Sequence, residues 1–352
     1  MNAILASIIA FLPRAIMQGT PLLYGATGEI ITEKSGHLNL GIPGIMYVGG
    51  ISGAAGAFLY EHSVRVKHAA MLEMPEFAAT LPENYGALMN PVLAIMIPLL
   101  SALFGALLMG LIYSFLTVTL RANQNVTGLA LTTFGIGIGN FFGGTLAKLS
   151  GTGETSISFP QTKILFKTTL PFADSCGWFG KIFLSYGFLI YLAVIVALVA
   201  AFVLKRTRIG LHLRAVGENP ATADAAGINV NRYKYLATCI GSMIAGLGGL
   251  YYVVDYMGTW SNDGFGDRGW LAIALVIFAV WRPNTAILGS YLFGGLYILW
   301  SAVNNIGMAE QELLKMLPYV VTIIVLVITS IREKRESQPP ASLGLSYFRE
   351  ER

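Results

Sequence analysis

The chain is 352 residues long, 55% hydrophobic and only 12% charged, with a formal net charge of +4. A soluble domain carries roughly 25% charged residues, so about half of a water-facing coat is missing and the chain reads as an integral membrane protein. Its lysines and arginines lie mostly in short clusters beside apolar runs, a pattern of membrane topology under which no nucleic-acid partner is expected.

A helix crosses the hydrocarbon core with about 20 mainly apolar residues. That rule predicts spans near residues 4–28, 40–60, 91–120, 125–147, 182–204, 233–256, 269–282, 285–303 and 317–331. The expected fold is an all-α polytopic bundle of about nine transmembrane helices, in a range of roughly 8 to 10. The N-terminal MNAILASIIAFLPRAIMQ has neither the basic start nor the cleavage site of a signal peptide and is read as a retained helix. Glycine-rich runs at 49–56, 135–144 and 241–249 place small residues where helix backbones approach closely in lipid. Cys176, in a predicted outer loop, and Cys239, inside a span, are not expected to pair, and neither has a metal-binding neighbour.

The loop 205–234 holds Lys205, Arg206, Arg208, Arg214, Arg232 and Lys234, and the tail holds Arg332, Lys334 and Arg335. Both are therefore expected in the cytoplasm, which puts the N-terminus outside if there are nine spans. Residues 1–331 form one transmembrane domain, with 205–232 as its main cytoplasmic loop. The tail 332–352, polar and containing a Pro-Pro pair, is expected to be disordered.

Inside that loop the sequence RAVGENPATADAAGI specifies a short helix. Asn219 is the N-cap, Pro220 suits the first helical position, and Gly227 fits a left-handed stop. Arg214 and Glu218 supply polar handles, and Ala221, Ala223, Ala225 and Ala226 keep the helix narrow. The bland alternative is that it only connects two spans.

Polar groups inside spans are costly and mark candidate pathway or gating positions: Glu29, Asn39, Asn125, Asn140, Asp255 and Asn304. Each has a structural alternative. Glu29 and Asn39 are more readily polar partners of Lys34, Asn140 an interhelical bond, and Asp255 a group reaching headgroup water. Tyr251, Tyr252, Tyr256 and Trp260 read as interface anchors before a stacking platform, and Arg268 and Trp270 as anchors before receptor contacts.

No phosphate cradle is present: GTGETS at 151–156 lacks the lysine and GWFGK at 177–181 has the wrong spacing, so this chain should not hydrolyse ATP. His37, His62, His68 and His212 are scattered in predicted loops, and no carboxylate pair or nucleophile arrangement emerges. Neither catalytic nor metal-binding residues are expected.

GLHLRAVGENPATADAAGI at 210–228 resembles the cytoplasmic coupling segment of inner-membrane permease subunits of ABC importers, in the branch of branched-chain amino acid and ribose permeases. EKSGHLNLGIPGIM at 33–46 resembles the signature this branch carries after its first span, with Lys34 for an arginine and Pro43 for a glutamate. Pro43 is expected to bend the start of the second span. RANQNVTGLALTTFG at 121–135 and RGWLAIALVIFAVWRP at 268–283 extend the likeness over most of the chain. The subgroup most similar is the nucleoside (purine) permeases that work with basic-membrane-protein type lipoproteins.

The resemblance implies ATPase-coupling roles for Arg214, Gly217, Glu218, Asn219, Pro220, Asp224 and Gly227. It implies a bacterial inner-membrane location, a separate ATP-binding subunit, a second permease subunit in a heterodimer, and an extracytoplasmic solute-binding lipoprotein. This chain would bind no cofactor, and ATP would be used by the partner. Within the branch the alternative cargo is a simple sugar or a vitamin such as riboflavin. From another class, an ion-coupled secondary transporter would need an ion site that the few ionisable residues in the spans hardly supply. An intramembrane enzyme would need a paired nucleophile and base.

Overall fold

The computed structural model describes residues 2–74, 81, 82, 84–150, 156–169, 171, 173–303, 307–332 and 338–348. The chain is helical almost throughout. α1 (Asn2–Glu33), α2 (Ile42–Leu72), α3 (Pro91–Ser114) and α4 (Gln124–Ser150) are long. Two short helices, α5 (Pro160–Phe166) and α6 (Gly177–Phe183), precede α7 (Phe188–Arg206). Then come α8 (Arg208–Glu218), α9 (Pro220–Ala225) and α10 (Val230–Leu250), which continues as a π-helical stretch from Tyr251 to Met257. α11 (Arg268–Phe278), α12 (Pro283–Ile298), α13 (Met308–Lys315) and α14 (Leu317–Arg332) complete the chain.

Seven helical stretches among the described residues are long and apolar enough to cross a membrane, and α1, at 32 residues, also has the length. The expected count of about nine is not reproduced, chiefly because of the run 269–282. Its helix, α11, has 11 residues, which at 1.5 Å per residue spans about 16 Å, half of a hydrocarbon core of about 30 Å. The apolar run continues to Trp281, but Val280 and Trp281 adopt φ of 53° and 52°, a left-handed conformation that ends the helix. Periodicity cannot distinguish such a half-crossing from a full span.

The bundle is organised around α2. In the most apolar window of its stretch, 83% of residues are buried, against 11% for Met308–Ile331, so α2 is central and α14 peripheral. α2 packs on α3, α10 and α4. The closest crossing is with α10, where a side chain at Gly49 would run into the Gly246 backbone and one at Gly249 into the Met46 carbonyl. Glycine removes the spacer and lets dispersion contacts form backbone to backbone, the driving term for helix association where no hydrophobic effect operates. Pro43 sits in the first turn of α2, where a missing N–H costs no helical hydrogen bond, so the expected bend is replaced by a clean helix start.

At the end opposite the Lys/Arg-rich loop, a two-stranded ribbon pairs Ile157 with Trp260 and Ser158 with Thr259. There the buried Glu61 accepts from Thr162 N at 3.0 Å and Thr162 Oγ1 at 2.9 Å, tying the start of α5 to α2.

Candidate coupling face and buried polar network

The basic end of the bundle is assembled from three segments far apart in sequence. First, Thr207 caps α8 through its hydroxyl on Gly210 N at 3.1 Å, and Asn219 caps α9 through Oδ1 on Thr222 N at 3.0 Å. Pro220 fills the first position of α9, and Gly227 leaves it at φ +83°, a conformation that costs glycine nothing. Of the residues that make up this element, Ala221, Ala225 and Ala226 are exposed and Ala223 is buried. Arg214 and Glu218 are exposed, while Gly217 is buried against the Lys34 carbonyl and Gly36 N. α9 is thus a capped turn and a half projecting from a seated base.

The second segment is the loop 34–41. Its backbone is bonded at almost every residue: Leu38 N donates to Gln124 Oε1 at 2.8 Å, Asn39 N to Glu29 Oε1 at 2.9 Å, and Gly41 N to Asn39 Oδ1 at 2.9 Å. The Leu38 carbonyl accepts from the Tyr113 hydroxyl, and that of Leu40 from Thr132 Oγ1 at 2.9 Å. His37, fully buried, is held between two hydroxyls, with Nδ1 2.8 Å from Thr238 Oγ1 and Nε2 2.7 Å from Thr117 Oγ1. Thr117 gives its own proton to the Tyr113 carbonyl at 2.6 Å. It therefore accepts from Nε2–H, and Nδ1 accepts from Thr238, the pattern of a neutral imidazole. Burial pushes the His37 pKa down to about 3, and the charge of Lys234 acts in the same direction. The histidine is a structural keystone, which its place in a run of loop residues did not signal.

The third segment is the tail. Residues 338–348, expected to be disordered, lie across the other two. Ser342 donates to the Gly217 carbonyl from its N at 3.0 Å and its Oγ at 2.5 Å, and Gly344 N reaches the Gly36 carbonyl at 3.3 Å. Tyr347 donates to Asp224 Oδ2 at 2.9 Å, and the Arg121 guanidinium sits 3.6 Å from the Phe348 ring centre. Polar composition hid two aromatic anchors and a turn that satisfies its own backbone. The remainder of 333–352 lies outside the described residues.

The candidate pathway residues separate. Glu29 bonds the Asn39 backbone and the side chain of Glu33 instead of pairing with Lys34, and Asn39 Nδ2 is buried without a hydrogen-bond partner. Lys34 has Glu218 and Glu33 as its nearby anionic influences. Asn125 is exposed at the start of α4. Asn140 makes an interhelical cluster: Oδ1 accepts from the Tyr47 hydroxyl, Nδ2 donates to Asp263 Oδ1 at 3.3 Å, and Asp263 N donates to Tyr47 at 2.9 Å. Asp255 is 4% exposed, with Oδ2 lacking a hydrogen-bond partner, so it does not reach headgroup water. Asn304 lies outside the described residues.

The aromatic group is likewise internal. Tyr251, Tyr252 and Trp260 are buried, and Tyr252 stacks on Tyr256 with ring centres 5.6 Å apart. They pack a half-crossing loop against the core and do not anchor an interface. Arg268, also buried, donates to the Phe265 carbonyl at 2.7 Å and Gln18 Oε1 at 3.2 Å and lies 4.0 Å from the Tyr252 ring centre. Sequence reasoning missed Gln18, Tyr47 and Asp263 as members of these networks. Both cysteines are free, and among the described residues no cluster of His, Cys, Asp or Glu could hold a metal.

Comparison with known proteins places this architecture. The family described as branched-chain amino acid transport system / permease component matches residues 11–326. Over 95% of this chain and 96% of its own length, a protein of Haloferax volcanii named, provisionally, as glucose ABC transporter permease protein TsgC13 is 30% identical. The nucleoside ABC transporter permease protein NupC of Lactococcus lactis is 32% identical over 89% of this chain and 90% of its own. The guanosine ABC transporter permease protein NupQ of Bacillus subtilis is 27% identical over 89% and 90%. No solved structure matches the chain.

Proposed function

The chain belongs to the branched-chain amino acid transport system permease component family, and from that premise we propose that it is the membrane-spanning subunit of an ATP-driven importer whose cargo is a nucleoside or purine. As a multi-pass permease it is a transport component. Support for the cargo comes from the names of two similar proteins, NupC and NupQ, each aligned over nearly its whole length. A simple sugar is the second reading, favoured by the name of the Haloferax protein.

The observation that carries the coupling role is α9. A six-residue helix, capped at both ends and seated through Gly217 on the loop 34–41, moves as a rigid handle. In this reading the basic end faces the cytoplasm and the N-terminus lies outside. A separate ATP-binding subunit grips Arg214, Glu218, Asn219, Pro220, Asp224 and Gly227. Nucleotide binding closes that subunit, α9 follows, and the displacement reaches α7 and α10 through the segments on either side. The push shifts the permease only if nucleotide favours one of its states over the other. Asn125 and Asn140 are the polar candidates with solvent access, and the buried Glu29, Asn39 and Asp255 enter as gating groups, with Asn304 as a further position. A second, non-identical permease subunit and a solute-binding lipoprotein complete the complex.

The test is co-expression with neighbouring genes and purification through a tag on this chain. An ATPase subunit should co-purify, and replacing Glu218 and Asp224 together with a proline inserted at Ala223 should abolish that while the chain still inserts. Radiolabelled nucleoside uptake by cells carrying the complex should follow. Failure of any ATPase to associate with the intact chain overturns the reading and turns attention to ion-gradient-driven uptake.

A further inference from the structure

Residues 258–267 lead from the π-helical end of α10 to the start of the half-crossing α11, and they carry an acid into the bundle. Asp263 Oδ1 accepts from Asn140 Nδ2 at 3.3 Å. Gly137 is the middle residue of the 27-residue α4, so Asn140, three residues on, stands about 4.5 Å from its midpoint. The contact therefore lies near the middle of a membrane span. Residues 261–264 have no regular structure and are exposed. Irregular backbone at such depth is tolerated only inside protein or along a water-filled cavity, and a carboxylate facing lipid is costly. Exposure here means water, so this loop and the adjoining face of α4 form the wall of an aqueous passage.

That wall is preorganised. Asn140 Oδ1 accepts from the Tyr47 hydroxyl, which accepts in turn from Asp263 N at 2.9 Å, so the amide is turned with its Nδ2 toward the acid. One N–H serves Asp263, and the amide has a second to give. Asp263 is held at φ 57°, a left-handed conformation uncommon in residues with a side chain and concentrated at binding sites. The buried Trp260 adds an indole N–H with no hydrogen-bond partner, which faces Gly143, about one turn on from Asn140. Gly137 and Gly144 flank Asn140 on the same face of α4, and a side chain carbon at either would meet nothing within 4 Å. The space beside the polar pair is open.

We propose that Asn140 and Asp263 form a cargo site in this passage and bind two neighbouring hydroxyls of a sugar ring. This rests on the reading of the chain as an importer subunit. A carboxylate has about four lone-pair positions, of which Asn140 uses one, so Asp263 can accept from both hydroxyls of a vicinal pair. Such charge-assisted bonds are roughly twice as strong as neutral ones. The second N–H of Asn140 donates to one of the same oxygens, and the Trp260 indole gains the acceptor that burial has denied it. The ribose of a nucleoside and a free sugar both offer this pair of hydroxyls; a free base does not.

The experiment measures uptake by cells carrying the whole complex, with radiolabelled adenosine, deoxyadenosine, adenine and glucose each supplied at saturation, so that the affinity of any solute receptor drops out. Adenosine should move roughly tenfold faster than deoxyadenosine, which lacks one hydroxyl of the pair. Asp263→Asn keeps an acceptor for Asn140 and removes the carboxylate. It should slow adenosine roughly tenfold and deoxyadenosine less than about twofold, erasing the preference, whereas a merely structural role would slow both alike. Gly144→Leu should slow both with an unchanged thermal midpoint, because it fills open space. Uptake of glucose without adenosine, sensitive to Asp263→Asn, would support the hydroxyl site and reject the nucleoside source. Equal rates for adenosine and deoxyadenosine in the parent, adenine as the fastest cargo, uptake of none of the four, or an Asp263→Asn variant that slows both nucleosides alike would overturn the proposal. Co-purification of the ATPase subunit is read in the same cells. If it persists while the site fails, the importer reading stands without this site; if the parent chain lacks it, both fall.

Discussion

Two neighbouring regions of the basic end are built on opposite principles. α9 is made by rules that act within nine residues: Asn219 caps it, Pro220 starts it and Gly227 stops it. The loop 34–41 is made by partners that lie far away, with His37 held from residues 80 and 201 positions distant. One is a locally coded handle that projects; the other is a tertiary plug that every surrounding helix grips. The difference predicts where damage goes, because harm to the handle should stay in the handle, whereas harm to the plug should spread through the bundle.

The largest effect is expected where the two regions touch. Gly217→Val places carbon where the Lys34 carbonyl oxygen and Gly36 N already sit. The chain should lose its monodisperse size-exclusion peak or unfold with a loss of about 3 kcal/mol or more, as backbone-on-backbone overpacking does. A variant that stays as stable as the parent would show that the handle is not seated on the plug.

Next comes the plug itself. His37→Ala strands the buried Thr238 hydroxyl, removes the donor to Thr117 and leaves a void, for an expected cost of about 3 kcal/mol. The same residue sets a pH dependence. Between about 3, its value in the folded chain, and 6.5, its ordinary value, the unfolded state binds a proton that the folded state does not. Stability from this group is therefore complete above pH 6.5 and is lost as pH falls toward 3. The thermal midpoint in detergent should fall on acidification through that window, and His37→Gln should flatten the slope. An unchanged slope would mean that the neutral imidazole is not what the fold selects.

The same contrast decides what was legible in the sequence. α9 and the presence of close helix contacts at the glycine runs 49–56 and 241–249 could be read because their causes are local or compositional, whereas which helices those runs bring together could not. The plug could not, since nothing near His37 announces Thr117 and Thr238 as its partners. α11 was misread because an apolar run looks the same whether it crosses fully or ends halfway on two left-handed residues. The tail was misread because average polarity outweighed Ser342, Tyr347 and Phe348, three side chains with specific seats. Composition reports what a segment can afford to bury, and the individual contacts decide whether it binds.

The tail gives an intermediate case. Tyr347→Phe removes one hydrogen bond to a carboxylate on α9, worth about 1.5 kcal/mol when a charged partner is involved. Since that bond joins the tail to the handle, protease should cut the tail faster while the thermal midpoint of the bundle moves little. A large fall in the midpoint would place the tail with the plug.

The smallest effect is the most informative about the handle. Asn219→Ala removes the side-chain acceptor for Thr222 N, at a cost of about 1 kcal/mol to the helix it starts. α9 has only six residues, and isolated helices of that length are marginal even with favourable sequences. A penalty that would be minor in a long span is therefore enough to fray α9 for much of the time. Little else should change, because the cap bonds nothing in the bundle. The expected result is an unchanged thermal midpoint together with weaker association of the ATP-binding subunit, and Asn219→Asp, which keeps an acceptor at the cap, should restore the association. If Asn219→Ala lowers the midpoint as far as His37→Ala does, the two regions are one cooperative unit. The handle would then transmit force by unfolding with the plug and could not act as a rigid lever.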